Sequence, residues 1–398
     1  MKSYYTTKRM KVKISLQRLL FILFLTGFLV SCKQDLDKAV PEQGEEKAWL
    51  EDYAPSDFIW GYIDTMGLFA LTPRYDDARD FCEGLAAVNL NGKWGYTDKF
   101  GKLIVENKYM TCADFSSGVA LVQNFNKKYQ YIDTQGKVIF DCPGDECRSF
   151  VNGNAVFIVN EAYGIIDAQG KILVPARFQD LRFGAPGQLI AKQGNREGVI
   201  DTEGNWVIPA KPATVKWANQ GLYLIKENNE YQYWTMKGDK FGGNYTKASV
   251  FENNFAIVQK NGLFSIVDNR LKESYKTNKK LTSAGSGFWV EWQNDTSGVV
   301  INHAGKPFCE KPYKAFLKFA EGTLGIMEGE NWGYIGGDCR EMVAPSLPLA
   351  WDCIGGRIRF ISQAGYGFLD KDGKVVIVPK FPEARDFKEN LARAAIFR

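Results

Sequence analysis

Few residues in this 398-residue chain have types and spacings suited to chemistry. His303 is the single histidine, so any Ser-His-Asp or Cys-His device would have to be built on it. It stands in "NHAG", where a neighbouring Asn and Gly mark a turn, and the expectation is a solvated turn residue. No G-x-S-x-G elbow and no Walker A loop is present, and the many glycines are not followed by helical patterns that would cradle phosphate. A column of aspartates raises calcium, but calcium needs several converging oxygens and each turn offers one. Apart from Cys32 there are seven cysteines. No C-x-x-C pair and no second His accompany them, so no metal site is expected. "CPGDEC" allows a Cys142–Cys147 disulfide around a Pro-Gly turn, while Cys112 and Cys147 share one register and could be stacked instead. Trp217, Trp234, Trp289, Trp292 and Trp351 fall outside the regular pattern. Of these, Trp217, Trp289 and Trp292 are the candidate ligand-binding residues, because exposed rings stack on sugar faces or anchor a protein. No catalytic residue and no cofactor is expected.

The elements that would position these residues repeat. Ten units align on Gly61, Gly95, Gln130, Gly164, Gly198, Gln232, Ser265, Val299, Gly333 and Gly367, at intervals of 33 to 35 residues. Three residues on stands an Asp in most units (Asp64, Asp98, Asp133, Asp167, Asp201, Asp268, Asp370) and six on a Gly. Asp-x-x-Gly between apolar runs reads as a hairpin: Asp bonds the nearby backbone and Gly accepts positive φ. Gly in the preceding strand leaves a flat gap over which an aromatic ring can lie, which makes Trp60, Trp94 and Trp332 packing residues. Pro73, Pro175, Pro209, Pro345 and Pro379 mark strand ends. An irregular stretch such as "RYDDARDFCEG" follows, and an apolar third strand such as "GLAAVNL" closes the unit. Units six, seven and nine lack several markers. No long helical periodicity appears after the N-terminal segment.

That N-terminal segment has its own meaning. Residues 1–18 carry six basic residues and no acid, and "LLFILFLTGFLV" (19–30) is the length of a signal-peptide core rather than a membrane span. "LVSC" resembles a bacterial lipobox, which implies cleavage after residue 31 and acylation of Cys32. Residues 32–57 are acidic and polar and read as a flexible tether, and 58–398 hold the array. Lys33 after the Cys is the pattern that resembles export onward to an outer membrane. Six of the 50 basic residues leave with the signal, so the mature chain has 44 against 46 acidic, or −2. Nucleic acid is not an expected partner.

The "KWGYTDKFGKLIVENKY" unit resembles the WG, or KWG, repeat of bacterial proteins, over nearly all of 58–398. The resemblance implies an all-β repeat protein, often secreted or surface-attached, with no shared activity and no catalytic residue to transfer. Ten units of about three antiparallel strands exceed a common propeller, and the array starts on strand one and ends on strand three. The expectation is an open β-superhelix, with a closed propeller-like ring as the alternative. The expected function is that of a lipid-anchored, non-enzymatic protein of the bacterial envelope, periplasmic or surface-facing. Its partners would be the bilayer through Cys32 and an envelope protein or other macromolecule. The alternative is a carbohydrate or cell-wall binder using the off-pattern tryptophans.

Overall fold

The computed structural model describes residues 56–398. The signal, Cys32 and the tether up to residue 55 lie outside the described residues. What is described is all β: ten small antiparallel sheets, nine of four strands and one of three. The second sheet shows the plan. A short strand a (Asp77–Ala78) is followed by b (Leu85–Leu90), c (Lys93–Asp98) and d (Leu103–Tyr109), paired in that order. The Trp-Gly strand is c. The expected three strands per unit become four, because the stretch read as irregular contains strand a.

The ring is closed, which corrects the expected open superhelix. In sheet one, Phe58–Ile63 and Phe69–Tyr75 come from the start of the array, and Glu383–Ala384 and Ala392–Phe397 from its end. They pair from Phe58↔Phe397 through Ile63↔Ala392 without a shift. The sheet is out of phase with the repeat. Each takes strands a and b from one unit and c and d from the next. A chain of whole units therefore ends with two complementary half-sheets. The last strand has a partner on the first, and no aggregation-prone edge remains there.

The hairpins follow from Asp-x-x-Gly. The Asp98 Oδ1 accepts from the Phe100 and Lys102 amides at 2.9 Å each, and the Gly101 amide donates to the Asp98 carbonyl. Thr235 and Asn302 do the same work where Asp is missing. Units seven and nine put Leu271 (φ 62°) and Cys339 (φ 66°) at the glycine position and keep the turn's backbone hydrogen bond.

The Gly of the Trp-Gly pair has a different reason from the one its sequence suggests. Strand d bulges opposite it: Trp94 pairs with Tyr109 but Tyr96 with Val105. A Cβ on Gly95 would lie 2.4 Å from the Val105 carbonyl oxygen and 2.8 Å from the Asn107 nitrogen. Backbone, not a ring, fills the gap. In sheets three and seven, where Gln130 and Ser265 stand instead, strand d pairs directly beside them and the close approach is gone. In sheet six, beside Gln232, Gly242 and Gly243 lie on the bulged strand itself.

Five of the ten joints between neighbouring sheets carry a bridging tyrosine. Tyr62, Tyr96, Tyr131, Tyr233 and Tyr334 are buried. Each hydroxyl donates across the joint to a carbonyl near the next strand a: Arg79, Ala113, Arg148, Ser249 and Trp351, at 2.5–2.8 Å. In four of them the same ring meets a Phe of that segment, as with Tyr62–Phe81 and Tyr96–Phe115 at 4.7 Å. A buried hydroxyl needs such a partner, so the bond fixes how the sheets stack as well as holding them.

Candidate functional site at the ring seam

The densest polar cluster lies where the chain ends meet. Four consecutive sheets, ten, one, two and three, carry an aspartate within or just after strand a: Asp352, Asp386, Asp80 and Asp114. Two arginines on strand b reach over the joints in the same way. Arg359 donates to the Ala384 carbonyl at 2.6 Å and pairs with Asp386 at 3.1 Å. One sheet on, Arg393 donates to the Ala78 carbonyl at 2.5 Å and pairs with Asp80 at 2.6 Å. Lys388 adds a longer contact to Asp80 at 3.5 Å. The next register position is Ala87, so Asp114 receives no arginine by this route, and its Oδ1 is buried without a hydrogen-bond partner. Burial raises the carboxyls of Asp114, Asp352 and Asp386, with nearby cations pulling the other way.

A cavity of about 390 Å³ opens beside this cluster, between the a–b turns of sheets one, two and three. Phe81, Cys82 and Phe115 give it apolar walls, and Glu83, Lys388 and Glu389 stand at its edge. Its carboxylates are engaged. Glu83 accepts from the Ser117 and Gly118 amides of the next sheet at 2.7 and 2.9 Å. Glu389 accepts from the Gly84 amide and pairs with Lys99 at 2.8 Å. Glu321 repeats the device on Gly355 and Gly356. Burial would raise its pKa, but Lys371 and the two amides outweigh that and hold it low. Nothing here aligns a nucleophile with a base. Among the described residues, no three His, Cys, Asp or Glu gather as metal ligands. The c–d turns share this face and present apolar tips: Phe100 is 94% exposed, Met66 69% and Leu68 58%.

The sequence candidates are dispersed. Trp289 is 2% exposed, inside the core between sheets seven and eight. Trp217 is half-buried, edge-on to Tyr223 at 5.1 Å, and Trp292 is half-buried with its Nε1 donating to Thr282. They pack on three separate cores and share no groove, which corrects their assignment as a joint ligand platform. Each fills space where the repeat's usual side chains are replaced. Trp60 is buried and Trp94 and Trp332 half-buried, with Arg79 over Trp94 and Arg393 over Trp60. His303 is exposed on its turn and stacks on Phe255 at 4.5 Å. Cys142 and Cys147 form a disulfide, and a second joins Cys309 and Cys339. Cys82, Cys112 and Cys353 are buried thiols. Cys32 lies outside the described residues. Sequence reasoning missed the seam. Its signals were the twice-written "ARDF" (78–81, 384–387) and arginines in an otherwise apolar strand b, at 359 and 393.

A family description, WG containing repeat, matches at residues 60–94, 94–129, 163–183, 198–231, 243–264 and 366–396. The longer matches run across a joint, so that unit, too, straddles two sheets. No curated protein matches the chain. Among solved structures, a eukaryotic initiation factor aligns at 12% identity over 72% of this chain and 94% of its own, with a TM-score of 0.45. BamB from Moraxella catarrhalis aligns at 12% over 65% and 79%, with a TM-score of 0.30. PorZ, a surface component of the type-IX secretion system of Porphyromonas gingivalis, aligns at 9% over 80% and 52%, with a TM-score of 0.27. Superpositions this partial carry no functional argument.

Proposed function

We propose that this chain, a WG-containing repeat protein with six matched repeats, is a non-enzymatic scaffold of a bacterial envelope. It is held to the outer membrane through acylated Cys32 and docks an envelope protein on one face of its ring. The observation that carries this reading is the division of labour at the seam. The carboxylates and arginines there are largely spent on bridging sheets. The same face exposes Met66, Leu68 and Phe100, apolar tips on adjacent turns that nothing in the chain covers among the described residues. Adjacent apolar side chains standing out of a rigid polar surface are the usual form of a protein-contact patch. A closed ring keeps them at fixed separations, so little entropy is lost on docking.

The test is crosslinking capture from native cells with the full chain tagged at its C-terminus, beside a Met66→Asp/Phe100→Asp variant. One dominant envelope protein, lost in the variant, is expected. Capture that survives the variant moves the interface elsewhere, and polysaccharide enriched without protein overturns the protein-docking reading. Cys32→Ser should release the protein from membranes, and a variant that stays membrane-bound contradicts the anchor.

A further inference from the structure

Nine sheets have four strands, and sheet eight stops at three: Leu281–Gly285, Phe288–Asn294 and Ser297–Ile301. Where its strand d belongs, residues 302–314 run irregularly, touching strand c only through bridges at Ile301↔Pro307 and Gly298↔Tyr313 and a Phe308 amide bond to Val300. Three other joints are tied from strand d. Arg74, Arg177 and Lys380, each near its end, donate to the turn-glycine carbonyls of Gly101, Gly204 and Gly67 on the next sheet, at 2.7–3.1 Å. The joint between sheets eight and nine is one of five without the bridging tyrosine, with Val300 at that position as Ile165, Val199, Ile266 and Phe368 stand at the other four. It has a disulfide instead, Cys309–Cys339, with 5.6 Å between Cα atoms.

The position of Cys339 is informative. It takes the turn-glycine place, at φ 66°, which side chains other than Gly, Asn and Asp rarely adopt. At the corresponding glycines a Cβ would strike the preceding strand d: Ile377 at 2.7 Å from Gly67, Val105 at 2.8 Å from Gly136, Tyr275 at 2.1 Å from Gly305. Beside the sheet that lacks strand d that space is open and the bond to Cys309 fills it, whereas Leu271 fits the same turn position of sheet seven because Gly242 makes room on the strand d beside it. Cys309 is buried and Cys339 half-exposed, so an external thiol meets Cys339 first.

We propose that Cys309–Cys339 is a redox latch, and that its reduction opens the ring at the joint between sheets eight and nine while the other joints stay closed. The reductant is a dithiol. One of its thiolates attacks Sγ of Cys339, the S–S bond breaks, and Cys309 leaves as a thiolate that takes up a proton. The second dithiol sulfur then attacks the mixed disulfide and frees Cys339 as a thiol. Two electrons and two protons pass to the protein, and the dithiol becomes a disulfide. The opened joint uncovers the Phe288, Phe308 and Phe319 cluster, in which the Phe319 ring of sheet nine lies 4.8 and 5.7 Å from those of Phe288 and Phe308 in sheet eight.

Hydrogen exchange by mass spectrometry on the full chain tests this, in a Cys142→Ala/Cys147→Ala background so that dithiothreitol acts on one disulfide. Amides of residues 298–322 should exchange at least about ten-fold faster after reduction, with residues 56–98 and 384–397 unchanged. Adding Cys309→Ala and Cys339→Gly, which removes the bond and restores a glycine to the turn, should give the fast pattern with or without reductant. Equal protection of 298–322 in the oxidised and reduced forms, or an even loosening of all ten sheets, would overturn the proposal.

Discussion

The seam and the joint between sheets eight and nine meet the same demand with different chemistry. Both are places where one of the repeat's regular ties is missing. Between sheets ten and one, Phe368 stands where a bridging tyrosine would donate, and Arg359 reaches from strand b to the Ala384 carbonyl, as Arg393 reaches Ala78 at the next joint, where Tyr62 is also present. The joint is then held by buried charge, and each arginine needs its aspartate. At the other joint a whole strand is absent and a covalent bond crosses the gap. The ring tolerates loss of a motif residue where another tie crosses the same joint. Strength at the seam depends on paired charges, whereas at the other joint it depends on oxidation state.

That contrast can be broken from either side. Arg393→Ala should have the largest effect of a single substitution, about 3 kcal/mol of destabilisation in urea, because it leaves Asp80 in the joint without its main counter-charge. Arg182→Ala, removing an arginine that is 40% exposed, should cost below about 1 kcal/mol. Similar costs for the two would show that the seam pair is not special. The two disulfides should also differ. In the chain-entropy picture, a bond closing 30 residues is worth about 3.5 kcal/mol and one closing 5 about 2 kcal/mol. Separate double-alanine variants compared by thermal melting would show that order or reverse it.

Smaller effects sharpen the picture. Tyr96→Phe should cost about 1–2 kcal/mol by stranding the Ala113 carbonyl. No loss in denaturant midpoint would mean that ring packing alone joins the sheets. Asp114→Asn should stabilise the protein by about 1 kcal/mol at neutral pH. Burial raises that carboxyl, so the folded state holds the proton more tightly than the unfolded chain, and stability falls as pH rises above about 4 through the folded value. The variant lacks this loss. Its advantage should grow with pH and vanish in acid, and a pH-independent difference would rule out the buried carboxyl as its source.

Much of the fold was legible because its signals are local. Asp98 and Gly101 name their turn in four residues, and the 34-residue period fixes the count of sheets. Closure was not legible, because the sheet's phase relative to the repeat is a tertiary choice: "strand one first, strand three last" looks like an unsplit array until Phe58–Ile63 is seen beside Ala392–Phe397. The glycine of the Trp-Gly pair was noticed for the right reason, missing Cβ, and assigned the wrong neighbour, since a bulge on another strand leaves no mark at residue 95. The Cys142–Cys147 bond could be read from a short loop, while Cys309–Cys339 joins residues 30 apart whose proximity depends on a missing strand. Trp289 illustrates the converse, because an aromatic outside the pattern need not be outside the core.

Closure of the ring is the central claim, and Ile59↔Ile396 tests it most directly. Residues opposite each other on antiparallel strands lie about 4.5–5.5 Å apart at Cα, within reach of a disulfide. An Ile59→Cys/Ile396→Cys variant of the full chain, mildly oxidised at low concentration and digested, should yield the 59–396 crosslinked peptide as an intramolecular product in high yield. A monomer that forms no such link, while wild-type Cys309–Cys339 stays intact, would mean that the two ends do not meet and that the array is open.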